Sequence, residues 1–465
     1  MNDSRILSAW VAAVSAVLLV VGAGDALAER GHKAMWDVQK YGAIGDGKAL
    51  DTAALQAALD ACGAAGGGRV ILPAGEYLTA TIRLRSGVEM HLSDGARLVG
   101  TPDVSAYTGP ADSPRDRWLH ALIVGEDLHD ISITGHGTID GNKVRDPQGE
   151  ERMRGPHTVL LRRCTNVTLQ DVTLRDSGNY AFLFYACSGV KVVNARFEGG
   201  WDGIHCRDLD GQWNKNIRIH QCQFHTGDDS IAGSGIEDCV IDDCIINSSC
   251  NGVRLIGPVH RWTLTHCQFV GPGKFPHITQ NRYNMLAALN IQPSAWDKRP
   301  GPVEDVNVSN VTMDNVLCAF HIVTRPGNTA DRLHFEHIKA TLAGERQTAS
   351  SVESWGDKTF GDIVFRDIEI TCAGGAKANS GLSSITAPGV DARPLPVWGF
   401  YVRNVKSLTL DHVRLTALSP DMRPVILAEN VDQLILKQVK HTPCPPGVEP
   451  FELRNVLQFS RDNKG

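Results

Sequence analysis

The feature that most limits how this chain can fold is a repeated pair of short alternating strands joined at a polar kink. It reads "NVTLQDVTLRDS" at 166, "GVKVVNARFEGG" at 189, "NIRIHQCQFHTG" at 216, "DCVIDDCIINSS" at 238 and "RWTLTHCQFVGP" at 261. It returns as "VNVSNVTMDNV" at 306, "IVFRDIEITCA" at 363, "SLTLDHVRLTA" at 407 and "QLILKQVKHT" at 433. Copies recur about two dozen residues apart, further where loops intervene, which is the signature of a solenoid. One unit cannot bury its apolar side, whereas stacking about ten buries a continuous column. The pattern therefore predicts an all-β fold, a right-handed parallel β-helix with coils ~4.8 Å apart. A sandwich would need hairpin turns that the repeat lacks.

Cys222, Cys244 and Cys267 fall at one phase of the repeat, so they read as an interior ladder of small hydrophobes. A disulfide elsewhere, for instance one involving Cys239 and Cys250, stays open. Helix is scarce. "DTAALQAALDACGAAGGG" (51–68) predicts a short amphipathic helix with an Asp cap and a Gly-rich stop. Placed over the open N-terminal end of the column, it would block edge-to-edge pairing.

Before the solenoid, Arg5 precedes the apolar run "ILSAWVAAVSAVLLVVGAG" and the small-x-small triplet "ALA" at 26–28. This predicts an export signal over residues 1–28 and a mature chain from Glu29, with an uncleaved anchor as the alternative. Residues 29–465 then form a single β-helix domain, with a capping region over 36–70. Loop insertions are expected at 101–120 and 271–302, where long interruptions of a regular solenoid read as groove walls. The net charge of −6 supplies no global basic field for nucleic acid, and no later stretch predicts stable membrane insertion. Capped solenoids of this kind are expected to be monomers.

"GGWDGIHCRD" carries Asp202, and one coil later "HTGDDSIAGS" carries Asp228 and Asp229. Adjacent acids are otherwise turn chemistry. Stacked coils, however, bring all three carboxylates to one patch. Converging carboxylates push one another's pKa values apart, which separates a proton donor from a proton acceptor. Glycoside hydrolysis needs that division; a calcium site is the other use of clustered acids.

With these residues the chain resembles glycoside hydrolase family 28, the polygalacturonase family of β-helices. That family's pattern runs Asn-Thr-Asp-Gly, Gly-Asp-Asp, Gly-His-Gly and Arg-Ile-Lys. "WDVQKYGAIGDGKALDTAALQAALD" (36–60) looks like the family's N-terminal cap, and "GTIDG" (137–141) also matches. The resemblance implies that Asp228 is the general acid and that Asp202 and Asp229 hold the attacking water, inverting the anomeric centre. No cofactor is implied. The substrate would be a pectin-like polysaccharide or its oligosaccharides.

Departures from the family fall on substrate contacts. Asn251 occupies the His position in "SSCNGVRLIG", with Arg254 just beyond it. In "NRYNMLAALNIQPSAW", Asn290 and Gln292 align with the Arg and Lys that grip a uronate carboxylate. Amides cannot replace those cations, so either the sugar there is neutral or Arg254 or Arg282 reads its charge. His205 is placed to enter the cleft, and Trp201 and Trp296 to stack on sugar rings or to fill gaps beneath loops. Two other functions fit the same frame. One is a β-helical lyase or epimerase, which would need a cation at the developing charge. The other is a carbohydrate-binding, adhesin-like β-helix without turnover.

Overall fold

The repeat becomes a column of three parallel sheets. The computed structural model describes residues 34–293, 300–344, 346–377 and 385–462. Residues 1–28 and Trp296 lie outside the described residues. One coil shows the plan: a first strand Ile204–Arg207, a second Asn214–His220 and a third Gln223–Thr226, each paired in parallel with its counterpart one coil away. The polar kink between second and third strands is a single residue in the left-handed region. Asp171, Asn194, Gln221, Asp243, His266 and Asn310 take this role, with φ between 49° and 64°. Asn and Asp tolerate that conformation, and their side chains pair between coils. Asn194 Nδ2, for example, donates to Asp171 Oδ1 at 2.8 Å.

The interior is built by stacking like on like. Phe197 and Phe224 lie 4.8 Å apart and nearly parallel, and Phe335 stacks on Phe365 at 4.7 Å. Cys222, Cys244 and Cys267 occupy one corner of three successive coils, buried as the repeat phase requires. Cys239 and Cys250 are free thiols, as are the three ladder cysteines. The capping helix spans Thr52–Ala64 and buries Leu55, Ala58, Leu59 and Cys62. Asp51 does not cap it. Its carboxylate instead accepts from the amides of Ile44 and Gly45, at 2.7 and 3.1 Å, tying down the preceding turn.

The expected loop at 271–302 is divided. Strand Ala287–Ile291 crosses it and adds a rung to the first sheet, because its alternating Leu289 and Ile291 face the core. Two further long connections carry no repeat signal: 141–156, and the segment between strands Phe360–Gly374 and Phe400–Ser419.

Candidate active site

The first sheet sets one ladder of outward positions: Leu183, His205, Ala232, Arg254, Asn290 and His321, each the register partner of the next. Three residues back on two of these rungs stand Asp202 and Asp229, so the coil stacking brings them together, with Asp228 beside them. One oxygen from each of the three carboxylates lies within 4.8 Å of the others. The chain reaches this point through a tight corner: Gly200 has φ +63°, and a Cβ there would lie 2.8 Å from the Ser177 amide nitrogen. Buried hydroxyls hold the Asp pair from behind. Thr226 Oγ1 and Ser248 Oγ both donate to the Asp228 carbonyl, at 3.0 and 2.8 Å.

Each carboxylate has its own environment. His205 Nδ1 lies 2.7 Å from Asp202 Oδ2, while Arg207 Nε donates to His205 Nε2 at 3.1 Å. A guanidinium can only donate. The imidazole therefore accepts at Nε2 and carries its hydrogen on Nδ1, directed at Asp202. Burial, then Arg207, pushes the His205 pKa well down, so the ring stays neutral. Tyr180 stacks on that ring at 4.2 Å and 2°. Burial, then repulsion from Asp228 and Asp229, pushes Asp202 well above the ordinary carboxylate range. Burial also raises Asp229, against Arg254, whose Nη1 sits 3.6 Å away. Asp228 runs the other way. Burial opposes its charge, but His277 and Arg154 outweigh it and hold the carboxyl below its usual range. His277 Nε2 is 3.6 Å from Asp228 Oδ1, and Arg154 Nη2 is 3.5 Å from Oδ2.

These acids floor a pocket of about 240 Å³, lined on its sides by Glu150, Arg154, His277, Arg282 and Asp391. Of the residues singled out in the sequence, Asp202, Asp228, Asp229, His205, Arg254, Trp201 and Arg282 line it. Asn251 instead donates to Asp229 Oδ1 from its side chain (2.8 Å) and its backbone (3.0 Å). Asn290 and Gln292 are wholly buried and do not reach the pocket: Asn290 bonds Asn251, while Gln292 bonds Arg254 and the Gly389 carbonyl. Trp201 is buried too, its face covered by the Arg154 guanidinium at 3.6 Å. That face is not free for a sugar ring while Arg154 stays in place.

Arg154, Tyr180, Arg207, His277 and Asp391 were not picked out from the sequence. His277 sits in a loop already expected to be a wall, and that was its available signal. Asp228, Cys250 and His277 also offer ligand atoms within 4.8 Å. A cation there, or among the three acids, would face Arg154 and Arg254, whose charges already answer the carboxylates. The donor set suits proton chemistry better than calcium, which wants six to eight oxygens.

A parallel β-helix with a buried acid cluster at the foot of a walled pocket is the class that fold and site define. Residues 129–290 match the family described as right-handed β-helix region. A polygalacturonase of Chamaecyparis obtusa is 26% identical, over 60% of this chain and 54% of its own length. An exo-poly-α-D-galacturonosidase of Dickeya chrysanthemi is 27% identical, over 71% of each chain. The chain thus spans about half of the first relative's length and about seven-tenths of the second's. Among solved structures, a polygalacturonase of Erwinia carotovora superposes with TM-score 0.52 at 17% identity, over 88% of this chain and 97% of that one. PfbA, a surface adhesin of Streptococcus pneumoniae, gives 0.53 at 17%, over 92% and 93%. The chain is thus similar to polygalacturonases at 26–27% identity, and the solved structures share its fold. The fold is common to an enzyme and an adhesin, so activity has to be argued from the pocket.

Proposed function

We propose that the protein hydrolyses glycosidic bonds of a pectin-like acidic polysaccharide or its oligosaccharides, after export directed by residues 1–28. The observation that carries this reading is geometric: Asp202, Asp228 and Asp229 are all buried at the foot of one pocket, with one oxygen of each within 4.8 Å of the others. Four guanidinium groups, Arg154, Arg207, Arg254 and Arg282, line the same pocket and suit an anionic sugar.

In this mechanism Asp228 protonates the leaving oxygen, and Asp202 and Asp229 hold the attacking water, the roles that the family resemblance implies. Asp228 must then gain its proton on substrate binding. A substrate carboxylate that draws Arg154 away removes a charge holding Asp228 ionised, and His277, at 3.6 Å, is placed to pass it a proton. The resemblance implies inversion. Carboxyl groups this close are otherwise the spacing of double displacement, so proton NMR of the first-formed anomer decides the stereochemistry.

The test compares wild type with Asp228→Asn on polygalacturonan, rhamnogalacturonan and their oligosaccharides, following reducing ends and the absorbance of unsaturated sugars. New reducing ends without unsaturation, lowered about 10²–10⁴-fold in the variant, are expected. Unsaturated products would replace the hydrolase with a lyase. Sugar binding without turnover in wild type, unchanged in Asp228→Asn, would replace it with a binding protein.

A further inference from the structure

The face of the first sheet is covered on both sides of the acid cluster. Towards the N-terminus its outward residues Val124, Leu160 and Leu183 are fully buried beneath Trp118, Leu119 and Met153, which arrive from the connections at 101–120 and 141–156. Polar contacts fix that plug: Trp118 Nε1 donates to Tyr185 Oη at 3.0 Å, and Arg117 Nη1 pairs with the buried Asp146 at 2.6 Å.

Towards the C-terminus a strap over residues 385–397 lies across the next rungs. Leu395 and Val397 pack on Tyr401 and Leu427, and Arg393 forks onto the fully buried Glu353, at 2.9 and 2.7 Å. The tip of the strap closes on the pocket itself. The Val390 carbonyl accepts from Arg254 Nη2 at 3.1 Å, and Asp391 Oδ1 stands 3.4 Å from the same nitrogen. Beneath it Asn290, His321 and Ser351 are sealed from solvent.

Among the described residues, what remains open is the face of three coils, those with strands Ile204–Arg207, Ile231–Gly233 and Asn251–Leu255. At ~4.8 Å per coil the window is about 10–15 Å along the axis. One lateral side is also walled, because 141–156 and 271–286 both enter at the corner leading into the first sheet. The opposite corner is built from shorter connections, 208–213 and 256–258.

From this we infer that the pocket receives the end of a saccharide chain, or a short oligosaccharide whole, and cannot be traversed by the middle of a polymer. The inference rests on the hydrolase reading above and adds its mode: release from chain ends. Specificity for ends resides in the strap and in the 101–120 and 141–156 plug, not in the acids.

Two measurements on the full-length protein, one on wild type and one on Asp228→Asn, test it. In the first, polygalacturonan is digested while reducing ends and mean chain length are followed together. Reducing ends rising while mean length stays nearly constant, with one short product, is expected. A several-fold fall in mean length during the first few per cent of cleavage would overturn the end-specific mode while leaving the hydrolase intact. In the second, Asp228→Asn is titrated calorimetrically with polygalacturonan and with its trimer at equal total sugar. A pocket for ends binds in proportion to the number of ends, so the trimer saturates it at far lower sugar concentration. Equal saturation by total sugar would overturn the inference even without turnover. Neither binding nor cleavage of either substrate would remove the hydrolase reading and this one with it.

Discussion

Two stretches of the same sheet bury carboxylates and treat them in opposite ways. In the open window, Asp202, Asp228 and Asp229 face one another, and the charges answering them stand about 3.5 Å off, on loops or the next rung. In the covered stretch, Glu353 is just as buried but is saturated: Arg393 reaches both of its oxygens and Trp355 Nε1 donates to one at 2.7 Å. A fully paired buried ion fixes a strap to a face. Buried acids set against each other are held at high free energy, with pKa values forced apart. The fold tolerates the second arrangement because the column is stabilised elsewhere, by interior ladders that do not pass through the pocket.

The widest test of that contrast is turnover. Asp202→Asn removes one of the opposed acids and should lower kcat about 10²–10⁴-fold, with the protein still folded by circular dichroism. Glu353→Ala, by contrast, should act on stability. Removing one partner of a buried pair strands Arg393 and costs about 3–5 kcal/mol, read as a lowered urea midpoint. It should also free the strap, so that surviving enzyme shortens polygalacturonan faster per bond cleaved than wild type does. If Glu353→Ala leaves the urea midpoint in place, the two regions do not differ as argued.

The contrast also explains what could be read from the residues beforehand. Interior positions repeat at the coil spacing, so the strands, the cysteine ladder and the coincidence of Asp202 with the 228–229 pair were legible. Arg154, His277 and Asp391 were not, because each comes from a connection with no periodicity to place it over the sheet. Asn290 and Gln292 looked like substrate ligands because their rung is correct; the strap that buries them is more than 90 residues further along the chain. Asp51 misled for a local reason. Two backbone amides of the preceding turn compete for its carboxylate and win it from the helix.

A smaller effect is expected at His205, which in the proposed mechanism acts through Asp202. His205→Ala should lower kcat on the order of 10²-fold with little change in KM, since misplacing a reacting group costs that much. Donation from Nδ1–H favours the ionised carboxylate, so losing it should move the titration assigned to Asp202 to higher pH in the kcat profile. His205→Asn, whose amide can donate from nearly the same place, should recover much of the loss. A merely structural histidine would shift neither the profile nor the rescue.

The finest distinction is the sign of the stability change within the window itself. Asp202 binds its proton more tightly in the folded than in the unfolded chain. Its contribution is complete below the unfolded pKa of about 3.9 and is lost as pH rises through the higher folded value. At neutral pH the buried charge is therefore a net cost, and Asp202→Asn should raise the melting temperature. Asp228 is the reverse: its folded pKa is depressed, so its contribution is present above the unfolded value and lost as pH falls through the lower one. Asp228→Asn should accordingly lower the melting temperature at pH 7, and the difference from wild type should shrink as the pH is brought below the ordinary carboxylate range. Melting curves of both variants between pH 3 and 8 would show the two shifts with opposite signs at neutral pH. Shifts of the same sign would mean that Arg154 and His277 do not single out Asp228, and the division of protons within the cluster would have to be redrawn.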